Sequence, residues 1–150
     1  MKLQRLFQIV LLIGAADSLA CGLWAWFQPE KLFDWLQFTM HAPIETKLPG
    51  VKFESADEVL LWRALGVIFL AHSVLLVLAA WRPRRLGSLV YVPLIGRALL
   101  LGLWLWLLGS DRIELSSAAL RWLAAHEGVW IVFFVAFLVW DKIGLGPERK

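Results

Sequence analysis

The sequence predicts an all-α, polytopic integral membrane protein: a bundle of four transmembrane helices, with a short interfacial helix after the first span. Three observations carry this. Of 150 residues, 60% are hydrophobic and 18% are charged, against about 45–50% apolar and about 25% charged in soluble domains. A globule of this size would leave much of that apolar surface in water. The apolar residues fall into long runs, and 10 residues are tryptophan, which concentrates at membrane–water boundaries.

The first run, 6–27, is broken only by Gln8, Asp17 and Ser18. The second, 59–81, holds Arg63, His72 and Ser73, and the third, 86–108, holds Arg97. At roughly 1.5 Å per residue each is long enough to cross the ~30 Å hydrocarbon core. The last run, 128–140, is too short by itself. The fourth helix must therefore reach back, over about 118–141, taking Arg121, His126 and Glu127 with it. Lys2, Arg5 and the Ser18-Leu19-Ala20 before Cys21 imitate a secretory leader, but the apolar residues continue to Phe27, so an uncleaved first helix is expected. Between the first two spans, apolar positions 32, 33, 35, 36 and 38 predict a short helix in the interface. Pro43, Pro49 and Gly50 make the rest of that link a loop. Ser110 and Asp111 are placed to cap a helical stretch leading into the fourth span.

Basic residues set the direction. Lys2, Arg5, Arg82, Arg84, Arg85, Lys142, Arg149 and Lys150 fall on one side. Lys31, Lys47, Lys52, Arg112 and Arg121 fall on the other. The richer side faces the cytoplasm by the positive-inside rule, so both termini are expected there. Trp24, Trp26, Trp62, Trp104, Trp106 and Trp122 then lie near the outer interface, Trp81 and Trp140 near the inner one. The net charge of +3 serves topology here, and no nucleic-acid partner is expected.

In each span one charge falls where the hydrocarbon should be: Asp17, Arg63, Arg97 and Glu127. Counted from the cytoplasmic edges of the apolar runs, Asp17 and Arg97 lie roughly 16 Å deep and His72 roughly 13 Å. Glu127 comes out at roughly 20 Å and Arg63 at roughly 27 Å. An unpaired charge at the bilayer centre costs at least about 2.5–3.5 kcal/mol, so pairs are expected: Asp17 with Arg97, and Glu127 with Arg63. Together with His72 these form a candidate buried polar cluster with two readings. The pairs can lock helix order and register, or they can line a polar cavity for a small molecule or a proton. Small residues, Gly14, Ala15, Ala16, Ser18, Ala20, Cys21 and Gly22 in the first span, Ala64 and Gly66 in the second, Gly96 and Gly102 in the third, would let the helices approach around the cluster. Pro93 should bend the third helix.

Other chemistry is poorly supported. His41, His72 and His126 fall at different depths, which argues against bis-histidine haem. His126 and Glu127 are adjacent and should point to different faces, and no metal-binding spacing occurs. Cys21 has no partner thiol. No catalytic set or phosphate loop is legible. No cofactor is predicted, although the cluster would suit a quinone or a lipid. Two function classes follow: a non-catalytic accessory or structural subunit of a membrane complex, or a self-associating bundle; and, as the alternative, a quinone-binding, lipid-binding or proton-conducting protein. The expected partners are the lipid bilayer and other subunits or further copies of the chain.

The first span runs Gly14…Gly22-Leu23-Trp24-Ala25-Trp26-Phe27-Gln28-Pro29, followed by Leu32 and Trp35-Leu36, and the second opens Trp62-Arg63-Ala64-Leu65-Gly66. A glycine-bearing first helix that ends in an aromatic-x-Pro, then an Arg-x-x-Gly start to the second, resembles the DoxX-like group of small four-helix bacterial membrane proteins over roughly residues 6–108. Most of that group has no assigned activity, and some relatives are linked to sulfur-compound oxidation that feeds electrons to quinone. The resemblance would make Arg63 and Gly66 the matching positions. It does not extend to Asp17, Arg97 or Glu127.

Overall fold

A computed structural model describes residues 2–28, 56–110 and 117–143, with side chains at 3–28, 59–60, 62–106 and 121–143. The elements are α1 (Lys2–Phe27), α2 (Ala56–Trp81), the short α3 (Pro83–Leu86), a single 3-10 turn (Gly87–Val90), α4 (Tyr91–Ser110) and α5 (Ser117–Ile143). Among the described residues four stretches are long and apolar enough to cross a membrane: Leu3–Phe27, Trp62–Trp81, Pro83–Trp106 and Arg121–Ile143. The chain is a four-helix membrane bundle. The expected interfacial helix at 30–38, the loop containing His41 and the capping residue Asp111 lie outside the described residues.

The helices present large apolar side chains outward, with Leu60, Leu99 and Val132 each about two-thirds exposed. Such a surface is stable only where lipid or another apolar face covers it. Their inward faces are marked by size rather than by polarity. In α1 the buried positions are Leu11, Gly14, Ala15, Ser18, Gly22 and Ala25, a mostly small stripe at helical spacing. In α5 they are Ala124, Glu127, Trp130, Phe134, Phe137 and Leu138, which are mostly large. The two stripes fit one another, and Trp130 lies over Gly14, where a Cβ would come within 3.0 Å of its ring.

The closest backbone approach is between α1 and α2. A Cβ on Gly22 would sit 3.0 Å from the Gly66 carbonyl oxygen, and one on Gly66 would sit 2.9 Å from that of Gly22. Without a hydrophobic drive between helices in lipid, such contact is what holds a pair together. Gln8 Nε2 donates to the Ala80 carbonyl at 2.9 Å, tying the start of α1 to the end of α2.

The third span is not the continuous helix expected over 86–108. Pro83 occupies the first position of α3, where no intrahelical N–H is required. The Gly87–Val90 turn then precedes α4. Pro93 has no N–H to offer the carbonyl four residues back, and its ring crowds that carbonyl, which belongs to Leu89 within the turn. The distortion expected of Pro93 thus takes the form of a 3-10 turn on its N-terminal side.

Two apolar clusters fill the bundle. One contains Leu11, Ala15, Leu76, Ala79, Ala80, Val90, Trp130, Phe134, Phe137 and Leu138. The other is built on Trp104 and Ala124, with Trp62, Leu100, Leu101 and Leu123 against them. Along α4 and α5, Arg97 and Glu127 fall between these clusters.

A charge network beneath a tryptophan-lined cavity

Arg97 is the centre of the site. It projects from α4, is fully buried and reaches both neighbouring helices. Its Nη2 donates to Asp17 Oδ2 on α1 at 2.7 Å and to Ser18 Oγ at 3.1 Å. Its Nη1 donates to both carboxylate oxygens of Glu127 on α5, at 3.2 Å and 3.0 Å. The guanidinium carbon lies 5.1 Å from the centre of the Phe69 ring and 5.9 Å from that of Trp130, so aromatic rings from α2 and α5 also hold the cation. One planar group therefore links all four spans, using the fork of donors that only arginine supplies. Its Nε is buried with no partner among the described residues.

The expected Asp17–Arg97 pair is present. The expected Glu127–Arg63 pair is not, because Glu127 is bound to Arg97 and Arg63 is exposed. Arg63 lies one residue inside the tryptophan-marked end of its span, where a long basic side chain keeps its charge at the interface without a protein partner. One-to-one pairing of charges produced that expectation, since the run-edge depths already set Glu127 about 4 Å in depth from Arg97 and about 7 Å from Arg63. From Lys2, where α1 begins, Asp17 is 15 residues in, or roughly 22 Å. From Ile143, where α5 ends, Glu127 is 16 residues in, or roughly 24 Å. Measured on the real helices, the two carboxylates are nearly level.

His72 is buried but stands apart. It packs edge-on to Phe69, with ring centres 6.2 Å apart, and lies so close to Gly96 that any Cβ there would collide with its ring. Its Nδ1 has no partner among the described residues, and it makes no hydrogen bond to Asp17, Arg97 or Glu127.

The network includes two residues that sequence reasoning left out, Ser18 and His126. His126 was expected to diverge from Glu127, yet its Nδ1 lies 3.4 Å from Glu127 Oε1 and its Nε2 lies 3.1 Å from Asp17 Oδ1. An imidazole reaches two ways, so neighbouring positions on a helix can share a carboxylate when both flank the bundle seam. The ring stacks on Trp122, with centres 5.3 Å apart and planes 12° apart. Trp130 Nε1 also donates to His126 Nε2 at 3.2 Å. The two contacts at Nε2 make opposite demands. A bare nitrogen accepts from Trp130, whereas a protonated one donates to an ionised Asp17.

Above the network is a cavity of about 190 Å³. Its polar wall is Asp17, His126 and Glu127, and its apolar walls include Trp24, Trp62, Trp104 and Trp122. Cys21, Leu65, Phe69 and Leu100 also face it. Arg97 does not line it. The carboxylates stand between the guanidinium and the cavity, so an occupant meets acid and indole first. Trp104 Nε1, on the lining, is buried without a partner among the described residues. Compared with protein families, with curated proteins and with solved structures, the chain finds no match.

Proposed function

We propose that this chain is a membrane-embedded small-molecule-binding protein whose ligand occupies the tryptophan-lined cavity. The observation that carries the reading is the cavity itself: apolar walls, a few convergent polar groups and an ion-pair network fixing those groups in place. That is the ordinary composition of a ligand pocket. Ion pairs that serve only to lock helices have no need of an adjoining cavity of about 190 Å³. The DoxX-like resemblance is compatible with this reading, and of its two matching positions Gly66 packs against Gly22. The proposed setting is a bacterial inner membrane, from the DoxX-like resemblance, with both termini cytoplasmic, from the basic residues of the links.

The test is purification from the native membrane in mild detergent, followed by native mass spectrometry. A small molecule bound at one per chain, and lost in a Cys21→Phe variant that fills the cavity, would support the proposal. The second reading, an accessory subunit or self-associating bundle, draws on the exposed apolar faces of all four spans. It would be favoured by stoichiometric protein partners, or further copies of the chain, with an empty cavity.

A further inference from the structure

We propose that the cavity takes a small lipophilic monocation, a protonated or quaternary amine with an aromatic or branched apolar body, in exchange for a proton held by His126. This deepens the reading of the cavity as a ligand site and depends on it.

The first argument is charge. The network holds two carboxylates, Asp17 and Glu127, and one guanidinium, Arg97. The sequence suggested a balanced set of four, but Arg63 is outside it. With His126 neutral the network is one positive charge short, and an uncompensated charge inside a membrane is costly. One proton on His126 closes the deficit, with its two N–H groups facing Asp17 and Glu127. A monovalent cation in the cavity closes it equally well.

The second argument is position. Asp17, Glu127 and His126 line the cavity, while the compensating Arg97 is fully buried behind them. The polar groups nearest a ligand are therefore two acids and an imidazole, set in a lining that is otherwise apolar. Four indole rings complete the lining. Tryptophan is the strongest aromatic partner for a cation, and a desolvated box of rings is the usual receptor for alkylated ammonium.

The third argument is the double claim on His126 Nε2. When the ring gives up its Nε2 proton, Trp130 N–H takes up that nitrogen, and Asp17 Oδ1 is left facing the cavity without its partner. The protonated ring and the ligand thus compete for the same carboxylate oxygen. The groups facing His126 are Asp17 from α1, Glu127, Trp122 and Trp130 from α5, and Arg97 from α4 acting through both acids. From α2 the surroundings are Trp62, Leu65 and Phe69 on the shared lining, with His72 unconnected. Exchange conserves charge: one proton leaves as one cation enters.

The protein in nanodiscs of zwitterionic phosphatidylcholine is titrated with benzyltrimethylammonium and with neopentylbenzene, which has the same shape without the charge. Binding is read from indole fluorescence against the Cys21→Phe variant. The cation should bind at least about tenfold more tightly than its neutral twin, and its affinity should rise by up to about tenfold per pH unit while a proton is being displaced. His126→Gln should flatten that pH profile and keep the preference for the cation. Asp17→Asn should reduce the preference. If the neutral compound binds as well as the cation at every pH, the cavity is a ligand site and the cation proposal falls. If the wild type prefers the cation with no pH dependence, the exchange with His126 falls. If neither compound distinguishes wild type from Cys21→Phe, the ligand-site reading falls with it.

Discussion

Replacing Arg97 by methionine removes the guanidinium from a site with two carboxylates and leaves the apolar stem in place. The ion-pair distances are 2.7 Å to Asp17 and 3.0 Å to Glu127. With charge centres about 4 Å apart and an effective dielectric near 20, each attraction is about 4 kcal/mol. Mutual repulsion of the acids and the desolvation of all three groups offset part of the sum. Breaking a buried pair by removing one partner typically costs about 3–5 kcal/mol, and that loss is expected for Arg97→Met. The assay is reversible unfolding in mixed micelles, followed by helical circular dichroism as sodium dodecyl sulfate is titrated in. The decisive comparison is the triple variant Arg97→Met, Asp17→Asn, Glu127→Gln, which carries no charge in the network. It should recover to within about 1–2 kcal/mol of wild type, since uncharged replacements of buried ion pairs are often near neutral. A single variant within about 1 kcal/mol of wild type, or a triple variant as unstable as the single, would refute the reasoning.

Gly96→Ala should destabilise by about 1–3 kcal/mol through overpacking, because its Cβ would collide with the His72 ring; adding His72→Ala should relieve part of this in the same unfolding assay. Gly22→Val should separate α1 from α2, whose backbones meet at Gly66. It should lower the unfolding midpoint, and a cross-link between cysteines introduced at positions 23 and 67 should form more slowly than in the parent. Arg63→Gln should leave the midpoint unchanged, because Arg63 is exposed and outside the charge network. A drop comparable to that of Arg97→Met would restore the Glu127–Arg63 pairing that the sequence suggested.

The four spans were legible because hydropathy alone requires them, and the Asp17–Arg97 pair because two opposite charges at one depth have few other partners in lipid. Glu127 was assigned the wrong partner because charges were paired one to one. On the run-edge depths it lay, at roughly 20 Å, already nearer to Arg97 at roughly 16 Å than to Arg63 at roughly 27 Å. A guanidinium can satisfy two carboxylates while a second arginine remains at the surface. His126 was missed because the i, i+1 rule treats side chains as directions from the axis and neglects the reach of a ring with nitrogens on both sides. The cavity could not have been read from the sequence. Trp24, Trp62, Trp104 and Trp122 look like an ordinary interfacial belt, and only helix rotation shows that they converge above the acids.

The central claim is that one guanidinium holds two carboxylates from two other helices, with His126 joined to both acids. Solid-state NMR in lipid, on protein with nitrogen-15 in arginine side chains and carbon-13 in aspartate and glutamate carboxyls, reads those distances directly. The account predicts that the Arg97 Nη signals are dephased by both Asp17 and Glu127, each at about 3–4 Å, and that Arg97→Met abolishes both couplings. Dephasing by Asp17 alone, with Glu127 coupled instead to Arg63, would contradict it.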